Sequence, residues 1–158
     1  MRSTLTLAAA ALALTVASTG SALAMGNDSQ PSSSAKPAGD PDYARAKAMI
    51  EARDYKGAQP LLQQVVAKNP KNADAYNYLG YSNRWLGKYD EAFAAYGKAL
   101  ALDPKHKGAL EYSGIAYLKT NQKAQADAQL AKLQAICANC EETRDLAKAV
   151  AEYKPAAK

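Results

Sequence analysis

Residues 73–106 read ADAYNYLGYSNRWLGKYDEAFAAYGKALALDPKH. Gly80 and Ala92 fall where two antiparallel helices would come closest, and a larger side chain at either would hold them apart. Gly87 lies between two helix-periodic runs, at a position where a helix end favours the left-handed backbone that glycine adopts freely. Pro104 cannot continue a helix and turns the chain away. The stretch therefore predicts a helix over 73–86, a tight turn, and a second helix over 89–102.

The same pattern returns on either side at a period of 34 residues. Upstream, over 39–72, Ala46 takes the place of Gly80, Tyr55 of Tyr89, Ala58 of Ala92, Leu62 of Tyr96, Val65 of Ala99 and Pro70 of Pro104. Downstream, over 107–140, Gly114 matches Gly80, Asn121 replaces Gly87, Ala126 matches Ala92 and Leu130 matches Tyr96. Seven helices are expected, over about 40–53, 55–68, 73–86, 89–102, 107–120, 123–136 and 140–153. Pro60 conflicts with the second and is expected to kink or delay it. The last carries Leu146, Val150 and Tyr153 at helical spacing and reads as the cap that closes a repeat array.

These registers resemble the tetratricopeptide repeat, and residues 40–153 are similar to small exported bacterial proteins of that family. The resemblance rests on Asp74-Ala75-Tyr76-Asn77-Tyr78-Leu79-Gly80-Tyr81 and on a late cysteine pair, Cys137 and Cys140, followed by Glu141, Glu142, Leu146 and Tyr153. It implies an all-α fold: a right-handed solenoid of three helix pairs with repeats at about 39–72, 73–106 and 107–140, plus a C-terminal capping helix at 140–153. It also implies a non-enzymatic role, an adaptor that binds a protein or peptide on a concave face lined by the first helix of each pair. The candidate contact residues are Tyr43, Lys47, Asn77, Tyr81, Arg84, Trp85, Glu111 and Lys119. Tyr81 and Trp85 are four apart and share a helical face. Trp85 beside Tyr81 and Arg84 has the composition of a binding hot spot, although packing into a core suits tryptophan equally. Family members that bind chaperones clamp a C-terminal carboxylate with Lys and Asn. The matching positions here hold Tyr43, Lys47, Tyr78, Gly108 and Tyr112, so that clamp is absent.

The N-terminus reads differently. Arg2, the apolar run Leu5 to Val16, and small residues at Ala22 and Ala24 form a secretory signal peptide over 1–24. Its apolar core is shorter than the roughly 20 residues a spanning helix needs, so no membrane span is expected after its removal. Residues 25–39, MGNDSQPSSSAKPAG, have too little apolar bulk to offset chain entropy and read as a disordered linker. Residues 154–158 form a tail. The expected location is the periplasm. The net charge of +5 is spread with carboxylates between the lysines, as on solvated helix faces, and gives no nucleic-acid signature. No Ser/His/Asp set, phosphate loop or cofactor motif is present.

Cys137-Ala138-Asn139-Cys140 is the one motif with chemistry of its own. In an oxidising compartment such a pair most often forms a disulfide. An intact helix holds side chains at this spacing too far apart for a disulfide, so the pair is expected at a helix break. Thiol redox exchange or metal handling is the alternative. A lone His106 supplies no ligand set, so no metal site is assigned. The partner is an unidentified periplasmic protein or peptide, and self-association of array ends is also open.

Overall fold

A computed structural model describes residues 39–155. The expected signal peptide, all but the last residue of the linker, and the end of the tail lie outside the described residues. The described chain is seven helices in series: α1 (Pro41–Glu51), α2 (Tyr55–Lys68), α3 (Ala73–Trp85), α4 (Tyr89–Leu102), α5 (Lys107–Lys119), α6 (Lys123–Ile136) and α7 (Glu141–Glu152). No strand occurs among the described residues. The fold is an all-α helical-repeat solenoid.

Its regularity is set by three kinds of joint, each recurring every 34 residues. Within each pair, the turn after the first helix holds a residue with positive φ: Arg53 at 62°, Gly87 at 73° and Asn121 at 58°. The next amide then reaches five residues back, from Asp54 to Met49 (2.8 Å), Lys88 to Asn83 (2.9 Å) and Gln122 to Tyr117 (2.8 Å). This is the bond by which a left-handed cap satisfies an orphan carbonyl. Between pairs, the second helix ends at Asn69, Asp103 and Cys137, each donating its amide four residues back at 2.8 Å. The following helix is capped by Asn72, whose side chain accepts from Ala75 N, and by His106, whose ring accepts from Ala109 N. Cys140 occupies the same register before α7 but makes no side-chain cap bond.

The predicted small positions are the contact points. Ala46, Ala58, Ala92 and Ala126 are fully buried. A Cβ on Gly80 would lie 2.6 Å from the Tyr96 ring, and one on Gly114 would lie 2.6 Å from Leu146. Leu62, Tyr96, Leu110, Leu133 and Leu146 supply most of the buried bulk. Each such side chain contributes about 1.5–3 kcal/mol. Pro60 neither delays nor interrupts α2, contrary to the sequence expectation. Both Pro60 and Lys56, whose carbonyl loses its partner, are exposed, so water can take up the unmade bond.

The helices form two layers. Neighbouring first helices approach closely, α1 to α3, α3 to α5 and α5 to α7, whereas the backbones of α2, α4 and α6 stay farther from one another. The layer in which helices crowd together is the inside of the curve, so α1, α3, α5 and α7 line the inner face.

Candidate functional site

Rows of inner-face residues follow from the repeat. A step of 34 residues along the chain moves one helix across this face, and it joins Tyr43, Asn77, Glu111 and Asp145 into one row. Positions 51, 85, 119 and 153 make another row nearer the turns: Glu51, Trp85, Lys119 and Tyr153.

Most of the candidate residues meet in an aromatic band. Tyr43 lies 5.9 Å from Tyr78, and the Lys47 ammonium stands 6.0 Å from the Tyr78 ring. Tyr81 is 4.7 Å from Tyr112 and 6.2 Å from Trp85. Trp85 is 53% exposed, which settles whether it is core. One of its faces stacks on Tyr55 at 5.3 Å and 5°. The Arg84 guanidinium lies 5.0 Å from the Tyr81 ring and 4.9 Å from the Trp85 ring. Cation–π contacts of this kind are worth about 0.5–1 kcal/mol at exposed sites. They hold the indole in one orientation, so little side-chain entropy remains to be lost on contact with a partner. Burial raises the Tyr43 and Tyr112 hydroxyls above the ordinary tyrosine value, so both rings are neutral.

Three candidates are placed differently from a simple exposed surface. Asn77 is 5% exposed, and its Oδ1 is buried without a hydrogen-bond partner. Its Nδ2 packs towards Gly108, where a Cβ would come within 3.1 Å. Glu111 is 8% exposed. Burial, followed by the negative charges of Asp145 and Glu142, pushes its carboxyl up to about 8. Lys119 is separate from the aromatic band. It borders a cleft of about 410 Å³ between α5 and α7 with Ile115, Leu118, Ala149 and Tyr153.

Tyr55, Tyr78 and Tyr112 belong to the band but were not among the sequence candidates. Tyr78 and Tyr112 lie one residue after Asn77 and Glu111, in a register the sequence considered only for the absent clamp. Tyr55 lies on α2, outside the first helices to which the search was confined. A second cleft, of about 460 Å³, lies on the other layer between α2 and α4, bordered by Gln59, Tyr76 and Lys98.

The cysteine pair sits at the predicted break, between α6 and α7, with both side chains as thiols. Hydrogen bonds hold the break. The Thr143 hydroxyl donates to the Cys137 carbonyl at 2.6 Å, and the Cys140 thiol donates to the same carbonyl at 3.2 Å. Hydrogen bonding, first to Cys137 and then to Thr143, lowers the Cys140 thiol below the ordinary cysteine value. Among the described residues no three His, Cys, Asp or Glu side chains are grouped to hold a metal ion. No described helix is long and apolar enough to cross a membrane.

Two family models, both described as tetratricopeptide repeat, match residues 43–106 and 86–153. No curated protein matches the sequence. The fold is similar to that of the Yersinia enterocolitica type III secretion chaperone SycD in complex with a peptide of the translocator YopD, with a TM-score of 0.63 and 21% identity over 71% of this chain and 86% of that one. It is similar to the Arabidopsis OM64 TPR domain, with a TM-score of 0.66 and 16% identity over 72% and 93%. It is also similar to YrrB, described as a TPR protein with an unusual peptide-binding site, with a TM-score of 0.63 and 23% identity over 68% and 55%.

Proposed function

Because this chain belongs to the tetratricopeptide-repeat family, we propose that it is a non-enzymatic periplasmic adaptor that holds a protein or peptide segment on its inner face. The observation that carries this reading is the aromatic band. An exposed Trp85, held between Tyr55 and Arg84 and continued by Tyr81 and Tyr112, is a rigid anchor with apolar area still uncovered. Tyr, Trp and Arg are the side chains that dominate binding energy at interfaces. The SycD neighbour was solved with a peptide, which supports segment capture by this architecture.

The test is co-purification from periplasm with the full mature chain and with its Trp85→Ala variant. A partner retained by the first and reduced at least tenfold with the second supports the reading. Equal retention of every partner removes this surface from consideration. Light scattering identifies the case in which the partner is a second copy. Mass spectrometry of the exported protein checks the leader, with a mature chain expected to begin near Met25.

In that compartment Cys137 and Cys140 would close a disulfide fastening α7 to the last pair. The two thiols would give up two electrons and two protons to a disulfide oxidant. Supporting it, the residues already flank one helix break. A mature chain lighter by two hydrogens is the expected mass.

A further inference from the structure

The inner-face row Tyr43, Asn77, Glu111, Asp145 changes character along its length, from an aromatic ring through an amide to two carboxylates. At its acidic end the polar groups lack partners. Glu111 is only 8% exposed, yet its carboxyl makes no hydrogen bond or ion pair among the described residues. The Asn77 Oδ1 beside it in the row is likewise buried and unpartnered. The Glu111 carboxyl thus keeps its acceptor capacity unused at the edge of the groove, open to a donor from outside.

Helix geometry shows where Glu111 points. On α5, Gly108 and Tyr112 face α3, against Asn77 and Tyr81. Gly114 faces α7, against Leu146. At about 100° per residue, Glu111 falls between these two sides, on the inner face. The charges facing it are Arg84 from α3 and Glu141, Glu142 and Asp145 from α7. Arg84 lies against Tyr81 and Trp85 and forms no ion pair with Glu111. Lys107 is engaged by Glu142 at 3.1 Å. With Lys107 taken up by Glu142, the Glu141 and Asp145 carboxylates form no ion pair among the described residues and leave negative charge at this end of the groove.

Resting on the adaptor reading above, we propose that the α5–α7 end of the inner face is a pocket for a basic side chain, Lys or Arg, of the partner polypeptide. An ammonium or guanidinium group carries several donors and no acceptor. It would pair with the Glu111 carboxylate and be drawn by the charge of Asp145. The rest of the partner segment would lie along the aromatic band towards Tyr43. Because burial and the α7 carboxylates hold Glu111 largely protonated at neutral pH, arrival of a cation would expel that proton into solvent.

The test begins with selection of random dodecapeptides on the full mature chain. The inference expects enriched peptides to share one Lys or Arg. Replacing that residue by norleucine should weaken binding at least tenfold to the wild type and less than twofold to Glu111→Gln. Calorimetry of the parent peptide at neutral pH, in two buffers of different ionisation enthalpy, should show nearly one proton released by the wild type and none by the variant. Circular dichroism establishes that the variant is folded. Peptides enriched without a basic preference, or a Lys dependence that survives Glu111→Gln, overturn the pocket and leave the aromatic groove standing. Failure to enrich any peptide overturns both.

Discussion

Replacing Glu111 by glutamine should stabilise this protein in alkali and leave it nearly unchanged in acid. The carboxyl moves from an ordinary value of 4.5 to about 8 in the folded chain. Between those two values the folded state keeps a proton that the unfolded chain has lost. The native advantage is therefore complete below about pH 4.5 and declines as pH rises through about 8. At ~1.4 kcal/mol per tenfold change, the rise sets a ceiling of about 5 kcal/mol on what the wild type loses. The partly open edge of the carboxyl and relaxation around it bring the expected figure to about 2 kcal/mol. The substituted amide would have the same shape and no charge to desolvate. Urea unfolding followed by circular dichroism, from about pH 4 to about pH 9, measures the difference. The two proteins should coincide at the acid end, and the variant's midpoint should lie about 1 M higher at the alkaline end. A gap that stays constant with pH would show that Glu111 titrates as an ordinary surface carboxylate, and the desolvation argument would fail with it.

Other substitutions probe the frame that carries the site. Gly80→Ala drives a methyl into the Tyr96 ring at 2.6 Å. Both partners are buried, so a loss of about 1–3 kcal/mol is expected in thermal or urea unfolding. Arg53→Gly removes a side chain from a backbone at φ 62° and should raise stability by about 1 kcal/mol, since glycine carries no left-handed penalty. His106→Ala removes the ring nitrogen that accepts from Ala109 N at 3.1 Å and should cost about 1 kcal/mol in the same unfolding assay. His106→Asn, copying Asn72 one repeat earlier, should recover most of it.

How far the sequence alone reached is clearest at particular residues. Gly87, Asn121, Pro70 and Pro104 act locally, through backbone freedom or a missing amide, and helix ends were legible to within a residue or two. The small positions Ala46, Gly80, Ala92 and Ala126 were legible because a repeating close approach excludes larger side chains at the same spacing. Pro60 was misjudged because the penalty of an unmade bond depends on exposure, which the linear chain does not state. The cysteine spacing placed Cys137 and Cys140 at a helix break, whereas the Thr143 hydroxyl that bonds the Cys137 carbonyl there came only with the folded chain.

The candidate surface divides along the same line. Tyr81, Arg84 and Trp85 are neighbours in sequence, so their meeting on one face of α3 was determined by helical period. Tyr55 joining them from α2, and Tyr112 from α5, depended on how the helices cross. Repeat period by itself placed Tyr43, Asn77, Glu111 and Asp145 in a row. Only the packing of α3, α5 and α7 around that row withdrew most of Glu111 from water without pairing its carboxyl. Burial and charge proximity are sums over residues distant in the chain, and so the chemistry of the groove emerged in the tertiary structure while its frame was already written in the 34-residue repeat.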